Sequence, residues 1–402
     1  MADLAQILID AVERRASDIV IKAGNSPLAR IDGELLPLYP DTEKLMPPDT
    51  ESMARQLMPE FRIKEFENEQ ESDFAYAVPG LARFRVNAFK QRGSVSMVLR
   101  TIPMEVPTFE TLNLPDVVRD LAEEDRGIVL VTGTTGSGKS TTLAAMIRHI
   151  NSTMRKHIVT IEDPIEYLYR DECCGINQRE IGSDTASFKR ALRRVLRQDP
   201  DVILIGEMRD EETVQTALSA AETGHLVFST LHTADAAETV NRILEFYEPH
   251  ELTQARSMLA SVLKGVISQR LVPTADGVGR TAILEVLRMT GRVHDIIKDG
   301  DVSALPDIIA EGSFYGMQSF DQALYAAVTD GRIDMEPRSH TRRVRMTSNC
   351  SSRAAEARAA PRWTTWRRSR SRRTATRPRP CRRRHRSAGR TFQASETCVS
   401  IG

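Results

Sequence analysis

The sequence contains few cysteines and few aromatic residues, and it has no apolar run long enough to cross a membrane. Of its 402 residues only five are cysteine, and aromatic residues make up 5%. Cys173 and Cys174 are adjacent, and no pair has the CxxC spacing of zinc sites and redox motifs. The longest apolar runs, such as 128–131, have strand length rather than the ~18 residues of a membrane helix. We therefore expect a protein of a reducing, cytoplasmic compartment, without a disulfide framework or a zinc site.

Positive and negative side chains are equal in number but unevenly distributed along the chain. The net charge is zero, yet residues 337–402 contain 19 arginines, no lysine and two acidic residues, which gives that tail +17. Residues 1–336 consequently carry −17. The tail has no hydrophobic periodicity, so we predict that 337–402 is disordered. An arm that binds nucleic acid or anionic lipid through its arginines is the functional alternative.

The first hundred residues predict a small mixed α/β domain, 1–102. One helical face is formed by Leu4, Ile7, Leu8 and Val12. Asp32-Gly33 is a strong hairpin signal, and a second β-rich stretch over 82–102 turns near Gly93. Prolines at 103 and 107 then mark a linker, which we place at 103–113.

The second domain, 114–336, is predicted to hold strands that alternate with helices. Apolar strands are expected at 127–132, 157–161, 202–205 and 226–230, and helices at 139–151, 188–196 and 213–222. Apolar strands between amphipathic helices indicate a mainly parallel sheet that is covered on both faces. After Gln254 the pattern predicts mainly helix until about Gly331.

A phosphate-binding loop is the strongest motif in the chain. The segment GTTGSGKS at 133–140 matches G-x-x-x-x-G-K-[ST] in full, between a predicted strand and a predicted helix. Lys139 is expected to reach the β- and γ-phosphates and to act in catalysis, and Ser140 to offer its hydroxyl to Mg²⁺. The predicted ATP-binding residues are Gly133, Thr134, Thr135, Gly136, Ser137, Gly138, Lys139, Ser140 and Thr141.

Acidic residues follow two of the predicted strands. The segment 160–166, TIEDPIE, places three carboxylates at a strand end, where a water or a metal ion needs a base. Glu207 directly follows the apolar strand 202–205 and Gly206, which is the Walker B pattern of an acid that holds Mg²⁺. The alternative for segment 160–166 is a solvent-exposed acidic loop, and the alternative for Glu207 is an ordinary surface acid after a core strand.

Two histidines bracket one predicted strand, in the segment 223–233. His225 precedes this strand and His232 follows it. A single histidine beside a core strand is more often structural, whereas a pair in a nucleotide-binding sheet is a candidate for sensing the γ-phosphate. Both interpretations stay open from the sequence alone.

These four motifs, in this order, resemble those of the secretion-type ATPases, and most closely those of the pilus retraction ATPases of the PilT and PilU family. The resemblance covers residues 1–335 and includes the segments RFRVNAF at 83–89, RQDPD at 197–201 and GMQSFD at 316–321. It implies a PAS-like N-terminal domain, a RecA-like P-loop ATPase domain, ATP and Mg²⁺, and a homo-hexamer. It also implies pilus retraction in twitching motility at the cytoplasmic face of the inner membrane. There the expected partner is an inner-membrane platform protein, with peripheral membrane association through partners and no nucleic acid.

The resemblance also assigns roles to single residues. Glu166 matches the glutamate that polarises the attacking water, and Glu207 matches the Walker B glutamate near Mg²⁺. The candidates for contacting phosphates are Arg83, Arg85, Arg100 and Arg194, with His225 and His232 as possible sensors. Related extension and type II secretion ATPases carry a longer N-terminal region and a four-cysteine zinc element, neither of which is present in this sequence. The alternatives are an ATPase of type II secretion or DNA uptake, and a nucleic-acid-binding protein that uses the tail.

The family resemblance ends near Met335, at the start of the basic tail. The tail is rich in Arg, Ala, Ser, Thr and Pro, a composition typical of a GC-rich gene read in the wrong frame. We therefore favour a frameshift product over a genuine tail for 337–402.

Overall fold

A computed structural model of the chain describes residues 3–31, 33–40, 44–102, 105–277 and 279–334. These residues belong to one compact unit. The predicted basic tail, 337–402, lies outside the described residues, as does Asp32 of the predicted hairpin turn. No helix within the described ranges is both long and apolar enough to span a bilayer.

Residues 4–102 build a six-stranded antiparallel sheet, called the small sheet here, with three helices. Its elements are α1 Leu4–Glu13, β1 Asp18–Lys22, β2 Leu28–Ile31, β3 Glu34–Pro37, α2 Pro47–Leu57, α3 Glu60–Glu69, β4 Glu71–Val78, β5 Ala82–Gln91 and β6 Ser94–Ile102. The strand order is β3-β2-β1-β6-β5-β4. The mixed α/β character of this part is confirmed, and its PAS-like assignment stays a prediction.

Local sequence patterns explain helix α1, strand β5 and the hairpin between β5 and β6. Helix α1 buries the residues of its apolar face, and β5 alternates buried residues such as Phe84 and Val86 with more exposed ones. The hairpin between β5 and β6 turns at Arg92 and Gly93, which both have positive φ, at 50° and 79°. Such a two-residue turn matches the twist of the flanking strands.

Residues 116–329 build the second sheet, called the large sheet here, and the helices around it. Its elements are α4 Asp116–Ala122, β7 Gly127–Thr132, α5 Lys139–Thr153, β8 His157–Glu162, β9 Gly175–Glu180, α6 Phe188–Val195, β10 Val202–Ile205, α7 Glu211–Glu222, β11 Leu226–Leu231, α8 Ala236–Leu244, α9 Leu252–Val262, β12 Leu263–Pro273, β13 Arg280–Arg288, α10 Gly291–Asp299, α11 Leu305–Glu311 and α12 Phe320–Thr329. Two short 3₁₀ helices, Val302–Ala304 and Gly312–Tyr315, flank α11.

The strand order of the large sheet is β13-β12-β7-β11-β10-β8-β9, and every neighbouring pair is parallel except β12 with β13. Successive residues of the central strands enter different apolar clusters: Ile128 and Leu130 of β7 pack in one, Val129 and Val131 in another. This alternation shows that both faces of the sheet are covered. The predicted mainly parallel sheet is confirmed.

Two parts of the large sheet differ from the prediction. The mainly helical interpretation after Gln254 is wrong for residues 263–288, which form the antiparallel strands β12 and β13; helices follow from Gly291. A short apolar run such as Val266-Ile267 fits a buried helix or a buried strand equally well, and only its pairing with β7 decides. Strand β9 was not predicted, because its sequence GINQRE is mostly polar.

Candidate functional site

The phosphate-binding loop connects β7 to α5, and its glycines allow a close approach of β12. Gly133 has φ 141° and Gly138 has φ 92°. A Cβ on Gly138 would lie 2.7 Å from Nε2 of Gln269, and one on Gly133 would meet the Gln269 carbonyl. The loop therefore packs tightly against β12 in a conformation that other residues rarely adopt.

The N-terminus of α5 presents unpaired backbone donors next to this loop. The helix begins at Lys139, and no side chain caps it. The first N–H groups of a helix have no intrahelical acceptor, and the helix dipole adds positive potential there. This end of α5 is therefore suited to bind an anion such as phosphate.

The Lys139 ammonium group folds back onto the loop. Its Nζ donates to the carbonyl oxygens of Gly133 at 2.8 Å and Thr134 at 3.2 Å. The side chain is only 9% exposed. Burial lowers the pKa of Lys139, while the negative charge of Glu207 raises it. These acceptors are neutral carbonyls, and no carboxylate among the described residues forms an ion pair with this cation.

The turn after β8 carries carboxylates in two different environments. Glu162 is buried, and its carboxylate accepts from Oγ1 of Thr160 at 2.7 Å and from the N–H of Glu166 at 3.3 Å. Burial raises the pKa of Glu162. The Glu166 side chain is exposed, and it makes no hydrogen bond to any residue that the structure describes. Asp163 and Glu166 are thus the exposed carboxylates of this turn.

Glu207 and His232 meet because they follow neighbouring parallel strands, β10 and β11. Nε2 of His232 lies 3.3 Å from Oε1 of Glu207, and NH2 of Arg209 lies 2.7 Å from Oε2 of the same carboxylate. The Glu207 side chain is 21% exposed. This carboxylate is therefore held between two side chains while it stays accessible.

One cavity of about 610 Å³ joins the loop, the acids and the small sheet. The predicted residues that line it are Thr135, Gly136, Gly138, Lys139, Ser140, Thr141, Glu166, Glu207, His232, Arg85 and Arg100. It lies at the carboxyl ends of β7, β8, β10 and β11, which is the edge where parallel α/β sheets bind ligands.

Three predicted contacts of phosphate do not line this cavity. His225 precedes β11, and its Nδ1 lies 2.9 Å from the Ala220 carbonyl oxygen and 3.2 Å from Oγ1 of Thr223. Arg83 forms an ion pair with Glu180 at 2.5 Å. Arg194 lines a separate cavity of about 440 Å³ with Arg179 and Arg190. Gly133, Thr134 and Ser137 belong to the loop but do not line the cavity of about 610 Å³ either.

Among the further residues that line the cavity of about 610 Å³, Glu162 and Asp163 belong to the predicted acidic segment 160–166, whereas Tyr167, Arg209 and Arg280 were not proposed from the sequence. The hydroxyl groups of Tyr167 and Thr141 lie 3.0 Å apart, which joins the turn after β8 to α5. Arg209 stands only two residues after Glu207, so its position was a usable signal. Arg280 had none, because it lies on β13, in the segment that was predicted to be helical.

No group of three or more His, Cys, Asp or Glu side chains that could hold a metal ion occurs in the described part of the chain. A cation at this site would therefore need ligands from a bound phosphate and from water in addition to Ser140 and Glu207. Magnesium typically binds in this way, through one or two protein ligands and substrate phosphates.

Comparisons with known proteins show the family of the chain and its fold. Residues 1–311 match the family model described as "Type II/IV secretion system protein". The chain is 44% identical over 336 residues to the type IV pilus retraction ATPase PilT of Pseudomonas aeruginosa, which covers 83% of this chain and 96% of that protein. It is 45% identical over 311 residues to a twitching motility protein of Neisseria gonorrhoeae, which covers 77% and 83%. A crystal structure of the pilus retraction motor PilT with bound ADP aligns with a TM-score of 0.78 at 44% identity, over 83% of this chain and 95% of that one.

Proposed function

The chain belongs to the PilT and PilU family of type IV pilus ATPases, within the type II/IV secretion system proteins, and on that premise we propose that it is an ATP-hydrolysing motor that retracts type IV pili. The observation that carries the proposal is the single cavity that brings together Lys139, Ser140, Glu166 and Glu207. The proposal is further supported by the sequence identity of 44% with a retraction ATPase, over nearly the whole length of that relative.

Nucleotide phosphates would bind at the loop and the N-terminus of α5. Backbone N–H groups there supply donors without a side-chain conformational cost, and Lys139 supplies a positive charge. The loop carbonyls that now accept from Lys139 are neutral, so a phosphate oxygen competes with them favourably for the ammonium group.

The donor set of the site fits Mg²⁺. Ser140 is exposed at the start of α5 and Glu207 is partly exposed, and both line the cavity, so they would hold the ion together with phosphate oxygens and water. When bound, the ion neutralises charge that develops on the β- and γ-phosphates.

The attack of water on the γ-phosphoryl group needs positioning more than covalent chemistry. Asp163 and Glu166 are the exposed carboxylates on the same cavity, and we assign the polarisation of this water to Glu166, which matches the glutamate of this role in the family. His232 and Arg209 would hold the Glu207 carboxylate from two sides, since both contact it. The neighbouring Glu162 is committed to hydrogen bonds within its turn and would orient the turn.

Two arginines of the small sheet support closure over a nucleotide. Arg85 of β5 and Arg100 of β6 are direct cross-strand partners, and both line the cavity. Like charges directly opposite each other destabilise a sheet. Asp18 already compensates Arg100 through an ion pair at 2.9 Å, so an anion bound there would stabilise Arg85 most. A nucleotide bound there would contact both sheets, and hydrolysis would change the angle between them.

We further propose that six copies form the ring and that it works at the cytoplasmic face of the inner membrane. An inner-membrane platform protein would be its partner and would hold it there peripherally. This part of the proposal is supported by membership of the family.

The proposal is tested by ATPase assays on the purified chain and by complementation of a strain that lacks its retraction ATPase. We expect Mg²⁺-dependent hydrolysis and restored twitching from the wild type. Glu166→Gln should fail in both assays. Glu222→Gln is the matched control because Glu222 is exposed at the end of α7, away from the cavity. Hydrolysis without any restoration of twitching would support the assignment as an ATPase and contradict the assignment to pilus retraction.

A further inference from the structure

The buried carboxylate of Glu180, the last residue of β9, has no part in the hydrolysis proposed above. Its side chain is 3% exposed. Oε2 accepts from the N–H of Ile165 at 3.2 Å and pairs with NH2 of Arg83 at 2.5 Å. Oε1 accepts from Oγ of Ser183 at 3.3 Å. One oxygen therefore contacts both an arginine of the small sheet and the backbone of the turn after β8.

This turn, residues 163–166, is held by two carboxylates that lie side by side. Glu162 and Glu180 are register partners at the ends of the parallel strands β8 and β9. Glu180 accepts from the N–H of Ile165, and Glu162 accepts from the N–H of the next residue, Glu166. Since the Glu166 side chain has no hydrogen bond to a described residue, these two backbone contacts set where its carboxylate points.

The Arg83–Glu180 pair also links the two sheets. Arg83 lies in β5, and among the ion pairs between described residues this is the one that joins the small sheet to the large sheet. The Arg83 side chain is 18% exposed. Removal of one partner from such a pair leaves the other charge buried without compensation, so the remaining carboxylate must move or recruit water.

We propose that Glu180 is a positioning residue for Glu166 and that Arg83 controls it, so that the orientation of the small sheet decides whether Glu166 is placed to polarise water. This inference rests on the proposed function. When the small sheet is in place, Arg83 holds the Glu180 carboxylate against the N–H of Ile165. When the small sheet rotates away, the carboxylate loses its counter-charge and the turn is released. Arg83 thereby acts through the turn rather than by contact with phosphate.

The test compares Arg83→Gln, Arg83→Lys, Glu180→Gln and the double variant Arg83→Gln/Glu180→Gln. In Arg83→Gln and Glu180→Gln we expect kcat for ATP to fall about tenfold or more while KM and nucleotide affinity change less than about twofold. The double variant should be no worse than the more damaged single variant, because contacting residues that act as one unit are not additive. Arg83→Lys keeps the cation and should recover part of kcat.

The matched control is Arg55→Gln, which breaks exposed ion pairs with Glu51 and Glu67 inside the small-sheet region. It should leave kcat unchanged. A second readout is independent of turnover. Hydrogen exchange measured on a peptide that spans 163–169 should become faster in Arg83→Gln than in the wild type, while a peptide from β7 should not change.

The outcomes separate this inference from the proposed function. If the wild type hydrolyses ATP and Glu166→Gln does not, the site assignment stands whatever the Arg83 variants do. Wild-type kcat and unchanged exchange at 163–169 in Arg83→Gln would then overturn the positioning role alone. Equal losses in affinity and kcat that add in the double variant would overturn it as well, since they indicate a purely structural pair. If Glu180→Gln does not fold, the kcat of Arg83→Gln and Arg83→Lys decides.

Discussion

Nε2 of His232 lies 3.3 Å from Oε1 of Glu207, and this contact joins the ends of two adjacent parallel strands beside the phosphate-binding loop. The other histidine of the same segment, His225, lies at the opposite end of β11 and contacts the Ala220 carbonyl oxygen. Two residues that looked equivalent in the sequence therefore have different surroundings, and they form a matched pair for mutagenesis.

We expect His232→Ala to lower ATP turnover by about 100-fold, the typical effect of removing one positioned polar group from a charged active site. His225→Ala should keep turnover near that of the wild type and lower the free energy of unfolding by about 1 kcal/mol through the lost hydrogen bond. Steady-state ATPase assays and thermal melts of both variants check this. A larger loss of turnover in His225→Ala than in His232→Ala would contradict the geometry.

Lys139→Ala is expected to abolish hydrolysis and leave the fold intact. Within the described part of the chain the ammonium group donates hydrogen bonds to two loop carbonyls, so its removal takes little from the core, while the phosphates lose a point charge. ATPase activity and circular dichroism of the purified variant measure the two effects. Lys90→Ala, at an exposed position of β5, is the control. Turnover near the wild-type value in Lys139→Ala would remove the assignment of the loop.

Glu166→Gln and Glu207→Gln should both stop hydrolysis and still permit ATP binding. Each substitution preserves size and removes a negative charge that is needed after binding, and loss of a general base typically lowers the rate by about 10²–10⁴-fold. Fluorescent-nucleotide titration and single-turnover assays separate the two steps. Lost affinity in both variants, with unchanged turnover per bound ATP, would show that these acids serve binding or folding.

Truncation after Glu336 should leave assembly and ATPase activity intact. The removed segment carries 19 arginines and has no apolar period, so it cannot bury enough surface to offset its ordering entropy. Its charge of +17 can still attract the body of −17, but such exposed contacts are weak and are screened by salt. Melting temperature, ATPase rate and light scattering of the full chain and of 1–336 are compared at moderate salt. An inactive or monomeric truncated protein would show that the tail is part of the motor, and the frameshift interpretation would be abandoned.

The sequence alone determined the elements whose signals are local. Residues 133–140 predict a phosphate loop because the glycines, the lysine and the serine stand at fixed spacing between an apolar strand and a helix. The parallel sheet follows from apolar strands between amphipathic helices, and the carboxyl ends of such strands meet at one edge. The sequence alone therefore predicts Glu166, Glu207 and His232 at a shared edge of the sheet.

Tertiary structure alone decided what depends on pairing between distant segments. Strand β12 could be identified only through its pairing with β7, and this pairing places Arg280 of the neighbouring β13 at the cavity. The polar strand β9 carries no apolar signal, yet its end supplies Glu180. An arginine that lines a cavity and one that pairs with a buried glutamate look alike in a sequence, so only the tertiary structure separated Arg85, which lines the cavity, from Arg83, which pairs with Glu180. Arg83 and Arg85 lie two residues apart and therefore on the same face of β5, so their different neighbours are set by the packing of the two sheets and not by the strand itself.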